Sequence, residues 1–280
     1  MSFTTLISTG VLAGHLDDPV IVDCRFKLDD EAWGRRQYEA AHIPGAVYAH
    51  LDHDLSGPKT GTNGRHPLPD AGVLAQTVGR LGIANGVQVV AYDQDNGMYA
   101  SRLWWLLRWL GHDAVAVLDG GFAKWTAERR ETRCGAETRP PQTVVPAPRG
   151  DMVVDAAVVT SLMQNHEWRL IDARAAERYR GDVEPLDKVA GHIPGAVNHF
   201  FQTNLDESGT FRSPEDLRAR LRESLGEISA DHIVCYCGSG VTACHDLLAL
   251  EHAGLRGAKL YAGSWSEWCS DPGRPIESGD

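Results

Sequence analysis

The sequence predicts an α/β protein made as a tandem duplication, each copy a mostly parallel central sheet flanked by helices. Three observations carry that prediction: an internal repeat, an alternation of short Val/Ile-rich runs with helix-length segments, and a proline-rich break between the halves. The repeat pairs AAHIPGAV at residues 40–47 with AGHIPGAV at 190–197, so that His42 returns as His192, 150 positions on, with seven of eight residues shared. Chance rarely copies so much, and a repeat of this kind marks a repeated structural unit. Upstream, IVDCR at 21–25 matches LIDAR at 170–174, and DGGFAKW at 119–125 matches AGSWSEW at 262–268, in the same order in both halves.

Within the first half VIVDC and VVAYD read as strands, SRLWWLLRWL as a helix and AVAVL as another strand. Strands separated by helix-length segments imply a parallel sheet covered on both faces. Further amphipathic helices are predicted at 71–81 and 214–225, the second with Ser213 as N-cap and Pro214 at the first helical position. The four prolines of RPPQTVVPAPRG, residues 139–150, favour an extended connector without helix. The expected division is a first domain at 1–138, a linker at 139–150 and a second domain at 151–280.

Composition bounds the function. Over 280 residues, 42% hydrophobic and 23% charged side chains are enough to bury real cores, which excludes a disordered or low-complexity chain. A net charge of -11 argues against nonspecific attraction to nucleic acid or to an anionic membrane, so the expected partner is a small molecule. Small anions stay open as substrates, because a local field can oppose the net charge. No run approaches the roughly 18 apolar residues of a membrane span, the best candidate at 103–110 being interrupted by Arg108. The first ten residues lack the basic leader and apolar core of a secretory signal, which points to the cytoplasm. Six cysteines are too few for a disulfide framework, and in a reducing compartment each is expected to be buried or catalytic.

A duplication is also an internal comparison. Residues present in both halves, His42 and His192, Asp23 with Arg25, Asp172 with Arg174, are assigned to the scaffold. Residues present in one half are candidates for chemistry. Aligning Ala91-Tyr92-Asp93 on Cys235-Tyr236-Cys237 puts Asp93 where the second half has Cys237. Cys237 follows a buried strand, opens a loop containing Gly238 and Gly240, and leads into a helix beginning near Val241 or Thr242. Backbone N–H groups in such a loop and at a helix start converge on the sulfur and favour thiolate over thiol. No charged residue lies between Cys235 and His245, so the stabilisation is assigned to backbone dipoles and not to loop side chains. Cys237 is the predicted nucleophile, and Gly238, Gly240, Val241 and Thr242 form its anion-binding loop.

Rival chemistries fit poorly. A cysteine phosphatase needs an arginine six residues after its nucleophile, and that position is Ala243. A zinc site from Cys235, Cys237, Cys244 and His245 would place two ligands on one strand around Tyr236 with no second CxxC pair. The Gly-rich stretch at 57–64 has Lys59 too early for a phosphate-binding loop. No metal and no cofactor are expected.

The duplicated HIPGA, the proline-rich linker, GSWSEW at 263–268 and CGSGVTA at 237–243 resemble, over nearly the whole chain, the two-domain rhodanese-like sulfurtransferases. That family comprises the thiosulfate and the 3-mercaptopyruvate sulfurtransferases. The resemblance implies a silent N-terminal domain, an active C-terminal domain, and a Cys237 persulfide that carries sulfur from a small anionic donor to cyanide or a thiol, including a thioredoxin-like one. Members specialised for thiosulfate place basic residues inside the loop, where this chain has Gly238 and Ser239, so the resemblance favours mercaptopyruvate. Thiosulfate:cyanide transfer is the alternative, and a non-enzymatic sulfide carrier or binding module a second. By the same resemblance Ser239, His66 and Asp52 form a proton relay, for which there is a chemical need, since desulfuration leaves an enolate-like carbon that must gain a proton. Arg178, in the ARAAERYRG segment at 173–181, holds the place of the family's substrate arginine and replaces the Asp29 of the first half. A guanidinium fork there would clamp a carboxylate. The family's second arginine is missing from EPLDK at 184–188, with Lys188 as the available stand-in, one that lacks the fork.

Overall fold

The computed structural model describes residues 2–279 and contains two five-stranded sheets with every strand pair parallel. Two compact units hold them. The first comprises the residues through Ser56, then Pro69–Arg149 and Glu207–Phe211; the second comprises Gly57–Leu68, Gly150–Asp206 and the chain from Arg212 onward. A segment from the first half of the sequence is therefore part of the second unit, and a short piece of the second half is part of the first.

The first unit runs β1 (Leu6–Ile7), α1 (Thr9–Ala13), β2 (Val20–Asp23), α2 (Trp33–Ala40), β3 (Val47–Tyr48), α3 (Ala71–Arg80), β4 (Val89–Tyr92), α4 (Ala100–Trp109), β5 (Val115–Leu118) and α5 (Gly121–Ala127), with sheet order β1-β5-β4-β2-β3. The second runs β6 (Val153–Val154), α6 (Ala156–Leu162), β7 (Arg169–Asp172), α7 (Ala176–Tyr179), β8 (Val197–Asn198), α8 (Pro214–Leu225), β9 (Ile233–Tyr236), α9 (Ala243–His252), β10 (Lys259–Tyr261) and α10 (Ser264–Trp268), in the matching order β6-β10-β9-β7-β8. The α/β duplication stands as the repeat predicted. Strands β2, β4, β5 and β9 are buried at every position, as a sheet covered on both faces requires. Helix starts follow their caps: the Asp70 carboxylate accepts from the Gly72 and Val73 N–H groups, and the Ser213 hydroxyl accepts from Asp216 N–H. Between Arg139 and Arg149 there is neither helix nor strand.

The residues shared by both halves form the same knot twice. Tyr92 on β4 lies opposite Asp23 on β2, and its hydroxyl donates 2.7 Å to the Asp23 carboxylate. The guanidinium of Arg25 grips Asp23 at 2.6 Å and donates to the Ala41 carbonyl. Asp172 and Arg174 repeat this at 2.6 Å, with Arg174 donating to the Gly191 carbonyl and stacking 4.9 Å from the centre of the Trp265 ring. The corresponding ring over Arg25 is Phe122, at 4.2 Å. His42 and His192 each donate through Nδ1, at 2.8 Å, to the carbonyls of Tyr38 and Tyr179 and stack on those same rings. These histidines fasten turns.

Both ion pairs are almost wholly buried, so removing the cation strands a carboxylate that burial already penalises. Arg174→Met should cost about 3–5 kcal/mol of stability, and Arg25→Met a similar amount in the first unit. Urea unfolding of each variant measures it, and a loss under about 1 kcal/mol would show that the knot is dispensable.

Candidate active site

Strand β9 ends at Tyr236 and helix α9 begins at Ala243, and the turn between them wraps the Cys237 sulfur. Gly240 N–H lies 3.2 Å and Ser239 N–H 3.5 Å from Sγ. Gly240 has φ +76°, and a Cβ there would fall 2.4 Å from the Ala262 carbonyl oxygen, so this corner of the turn admits only glycine. The Cys237 residue is 2% exposed. Burial pushes its thiol up. The Thr242 hydroxyl and the N–H groups of Ser239, Ala243 and Val241 outweigh that penalty and leave the thiol below the ordinary cysteine range. The expectation that loop side chains take no part is thus corrected: Thr242 carries no charge, yet its hydroxyl is first among the stabilising groups.

Three further residues hold Cys237 and its turn in place. Ser264, with φ +55°, is one of two non-glycine residues in the left-handed region among the described residues, and the first half has Gly121 at φ +56° there. Its buried hydroxyl accepts 3.1 Å from the Cys237 N–H and donates 2.9 Å to the Tyr261 carbonyl, which is the bonding that repays a strained backbone. The Trp265 and Ser266 N–H groups bond the carbonyls of Cys237 and Gly238.

In the first unit the Asp93 carboxylate occupies the corresponding turn and accepts from the N–H groups of Gly97, Tyr99 and Ala100 at 2.9, 2.7 and 3.1 Å. Burial pushes it up to about 6 despite those bonds. In both units the turn directs N–H groups at an ionisable group, a carboxyl in one and a thiol in the other.

Around the loop, His66 Nδ1 stands 2.7 Å from Ser239 Oγ, and both residues are buried. Asp52 belongs to the first unit, in the turn after β3, where its N–H donates to His50 Nδ1. Arg178 pairs with Glu184 at 2.7 Å and with Asp187 at 3.5 Å. Lys188 is exposed and makes no ion pair among the described residues. Three residues the sequence reading did not single out complete the cluster: Arg65 is paired with Asp187, and Glu184 also meets Arg174 at 3.2 Å. A Cβ added to Gly238 would stand 2.7 Å from Arg65 Nη2 and 3.5 Å from Arg178 Nη1.

Glu31, His50 and His53 in the first unit gather nitrogens and a carboxylate at metal-ligand separations. His50 Nδ1 accepts from two backbone N–H groups, which leaves the proton on Nε2, donated to the Glu31 carbonyl. That histidine has no lone pair to give a cation.

With its pKa lowered, Cys237 has more thiolate at neutral pH than an ordinary cysteine. Thr242→Val should move the midpoint of its alkylation by iodoacetamide to higher pH, and Gly240→Ala should slow alkylation throughout. Rates followed by mass spectrometry from pH 5 to 10 test both, and an unmoved midpoint in Thr242→Val would remove the hydroxyl from the account.

The chain matches the Rhodanese-like domain family twice, over residues 8–128 and 155–271. It is 46% identical to a Pseudomonas aeruginosa protein named "Probable 3-mercaptopyruvate sulfurtransferase", across 100% of both chains. It is 34% identical to the thiosulfate sulfurtransferase of Gallus gallus, over 94% of this chain and 90% of that one. Among solved structures, the 3-mercaptopyruvate sulfurtransferase from Leishmania major superposes with a TM-score of 0.82 at 30% identity, covering 95% of this chain and 74% of the other. A doubled fold, a thiol seated in an anion-holding turn and relatives of this kind along the whole length agree: the chain belongs to the two-domain rhodanese-like sulfurtransferases.

Proposed function

We propose that the chain takes a sulfur atom from 3-mercaptopyruvate onto Cys237 and passes it to a thiol or to cyanide. The observation that carries the reading is the buried Cys237 sulfur held by N–H groups and the Thr242 hydroxyl, beside a glycine that two guanidinium groups approach. The thiolate attacks the donor sulfur, the carbon–sulfur bond breaks, and its electron pair goes to carbon as the enolate of pyruvate. The proton first borne by the donor thiol ends on that carbon, so that thiolate and mercaptopyruvate become persulfide anion and pyruvate with atoms and charge balanced. Ser239 and His66 are the groups that move this proton, with Asp52 as the third member that the family resemblance supplies. An acceptor thiolate or cyanide then attacks the outer sulfur and releases the Cys237 thiolate. A thioredoxin-like dithiol in a reducing compartment such as the cytoplasm suits that second step.

Charge supports mercaptopyruvate over thiosulfate. Arg65, Arg174 and Arg178 are matched by Asp172, Glu184 and Asp187, three cations against three carboxylates. A dianion would bring two uncompensated charges toward an ionised sulfur, whereas mercaptopyruvate brings one. Its planar carboxylate also suits a guanidinium fork, and Arg178 is the clamp that reading needs.

Intact mass decides the class: incubation with mercaptopyruvate should add one sulfur to the protein, cyanide should remove it, and Cys237→Ser should never acquire it. His66→Ala should slow sulfur uptake from mercaptopyruvate about 10²–10⁴-fold, the usual worth of a positioned acid or base. It should spare uptake from thiosulfate, which leaves sulfite and needs no proton on carbon. Equal slowing with both donors would take His66 out of the proton path.

A further inference from the structure

We propose that Arg65 is a second donor-recognition residue, closing with Arg178 on the donor's carboxylate, and that Asp187 between them sets the charge of the donor accepted. The inference deepens the sulfurtransferase reading above and rests on it.

Arg65 sits in the segment Gly57–Leu68, which belongs to the second unit, and its neighbour in sequence is His66. Its backbone N–H is pinned 3.0 Å from the Ser266 hydroxyl, two residues past the serine that fixes Cys237. Of its guanidinium nitrogens, Nη1 bonds Asp187, Nε is buried, Nη2 lies 2.7 Å from the place of a Gly238 Cβ, and neither of the last two has an acceptor among the described residues. Arg178 presents the same pattern. Its Nε and Nη2 bond Glu184; Nη2 also lies 3.4 Å from the place of a Gly238 Cβ, and Nη1, 3.5 Å from it, has no acceptor among the described residues. Both open nitrogens lie within 3.5 Å of one point, the place a Cβ of Gly238 would take, one residue from the nucleophile. Gly238 has no positive φ, so conformation does not demand a glycine there; the space does.

Two N–H donors converging on one small space beside a thiolate form a receptor for a planar carboxylate, the anionic end of a 2-oxo acid. The counterions complete the design. Glu184 is bonded by Arg174, Arg178 and the N–H groups of Leu186 and Asp187, so it is fixed. Asp187 faces both arginines, and its Oδ2, 3.5 Å from Arg178 Nη2, accepts no hydrogen bond among the described residues. Arg174 is held by Asp172 and Arg178 by Glu184, so Asp187 is the carboxylate that brings the group to zero net charge, and its loss would leave one positive charge toward an incoming anion. With Asp187 ionised, a dianion adds twice the uncompensated charge that a monoanion does. The guanidinium missing from the EPLDK segment is thus supplied by the residue before His66, and Lys188 is not needed for the role.

The experiment compares parent, Arg65→Ala, Arg65→Lys and Asp187→Asn with mercaptopyruvate and thiosulfate as donors. Discharge of preloaded persulfide to 2-mercaptoethanol, an acceptor with no carboxylate for the arginines to hold, is measured separately. Loss of one charge-assisted contact should raise the mercaptopyruvate KM of Arg65→Ala about tenfold or more, with discharge unchanged and with partial recovery in Arg65→Lys. Asp187→Asn should raise kcat/KM for thiosulfate relative to mercaptopyruvate. A KM within twofold of the parent, or a discharge rate that falls as far as KM rises, would overturn the role of Arg65. An unchanged donor ratio in Asp187→Asn would overturn that of Asp187. A parent that gains no sulfur from mercaptopyruvate would instead refute the reading of function, which separates the two failures.

Discussion

The second unit's site depends on one constraint: any negative charge on Cys237, a residue only 2% exposed, must be stabilised without bulk water. Water cannot solvate it, so fixed dipoles must, and the end of a parallel strand leading into a helix supplies them. The donors are in position before any reaction, which is why they cost no reorganisation when charge forms or leaves. Gly240 makes the turn sharp enough, Ser264 takes a strained conformation to hold the Cys237 N–H, and Thr242 adds a hydroxyl. The first unit obeys the same constraint with a different anion. Asp93 accepts from the same kind of turn, one residue longer, where Gly97 takes φ +81° in the role of Gly240. The N–H-lined turn is therefore a property of the scaffold, and the two units differ in what occupies it, a carboxyl in one and a thiol in the other.

Beneath the loop lies a carboxyl group whose ionisation would work against the thiolate. Asp246, in the first turns of α9, is fully buried; burial pushes its carboxyl far up, and a charged Cys237 pushes it in the same direction. Asn204 donates 2.8 Å to its Oδ1 and is itself bonded to His199. A neutral Asp246 and an ionised Cys237 favour each other, because only one of two nearby buried sites can bear a negative charge at low cost. The pair of carboxylates above the loop, Glu184 and Asp187, carry no such conflict, since guanidinium groups face both.

What the sequence made legible was whatever is local or doubled. The strands and the helices at Ala71–Arg80 and Pro214–Leu225 follow from short-range patterns and caps, and the repeat located the knots built on Asp23 and Asp172 because both halves need them. Cys237 emerged because the halves differ there. Arg65 was invisible for a geometric reason: it meets a loop 173 positions away, from a segment that lies in one half of the sequence and in the other compact unit. The signal that could have found it is negative space, since Gly238 is a glycine with no conformational reason to be one. Asp187 is illegible in EPLDK because nothing local shows that its carboxylate faces two arginines from separate stretches of the chain. Thr242 was in plain view, but a search for formal charges passes over a hydroxyl.

Reactivity and selectivity are thereby assigned to different parts of the chain. The lowering of the Cys237 pKa comes first from the Thr242 hydroxyl and then from main-chain N–H groups, all of them in the β9–α9 turn and the first residue of α9, so that turn can stay constant while the donor changes. Choice of donor depends on side chains brought to one face of that turn by two separate stretches, 57–68 and 178–187. The first also carries His66, so on the proposed reading the residue before it would recognise the donor while His66 itself handles the proton. Changing one contact at Gly238 would then alter which anion is admitted without altering what happens to its sulfur, a division by which a single scaffold can serve several donors.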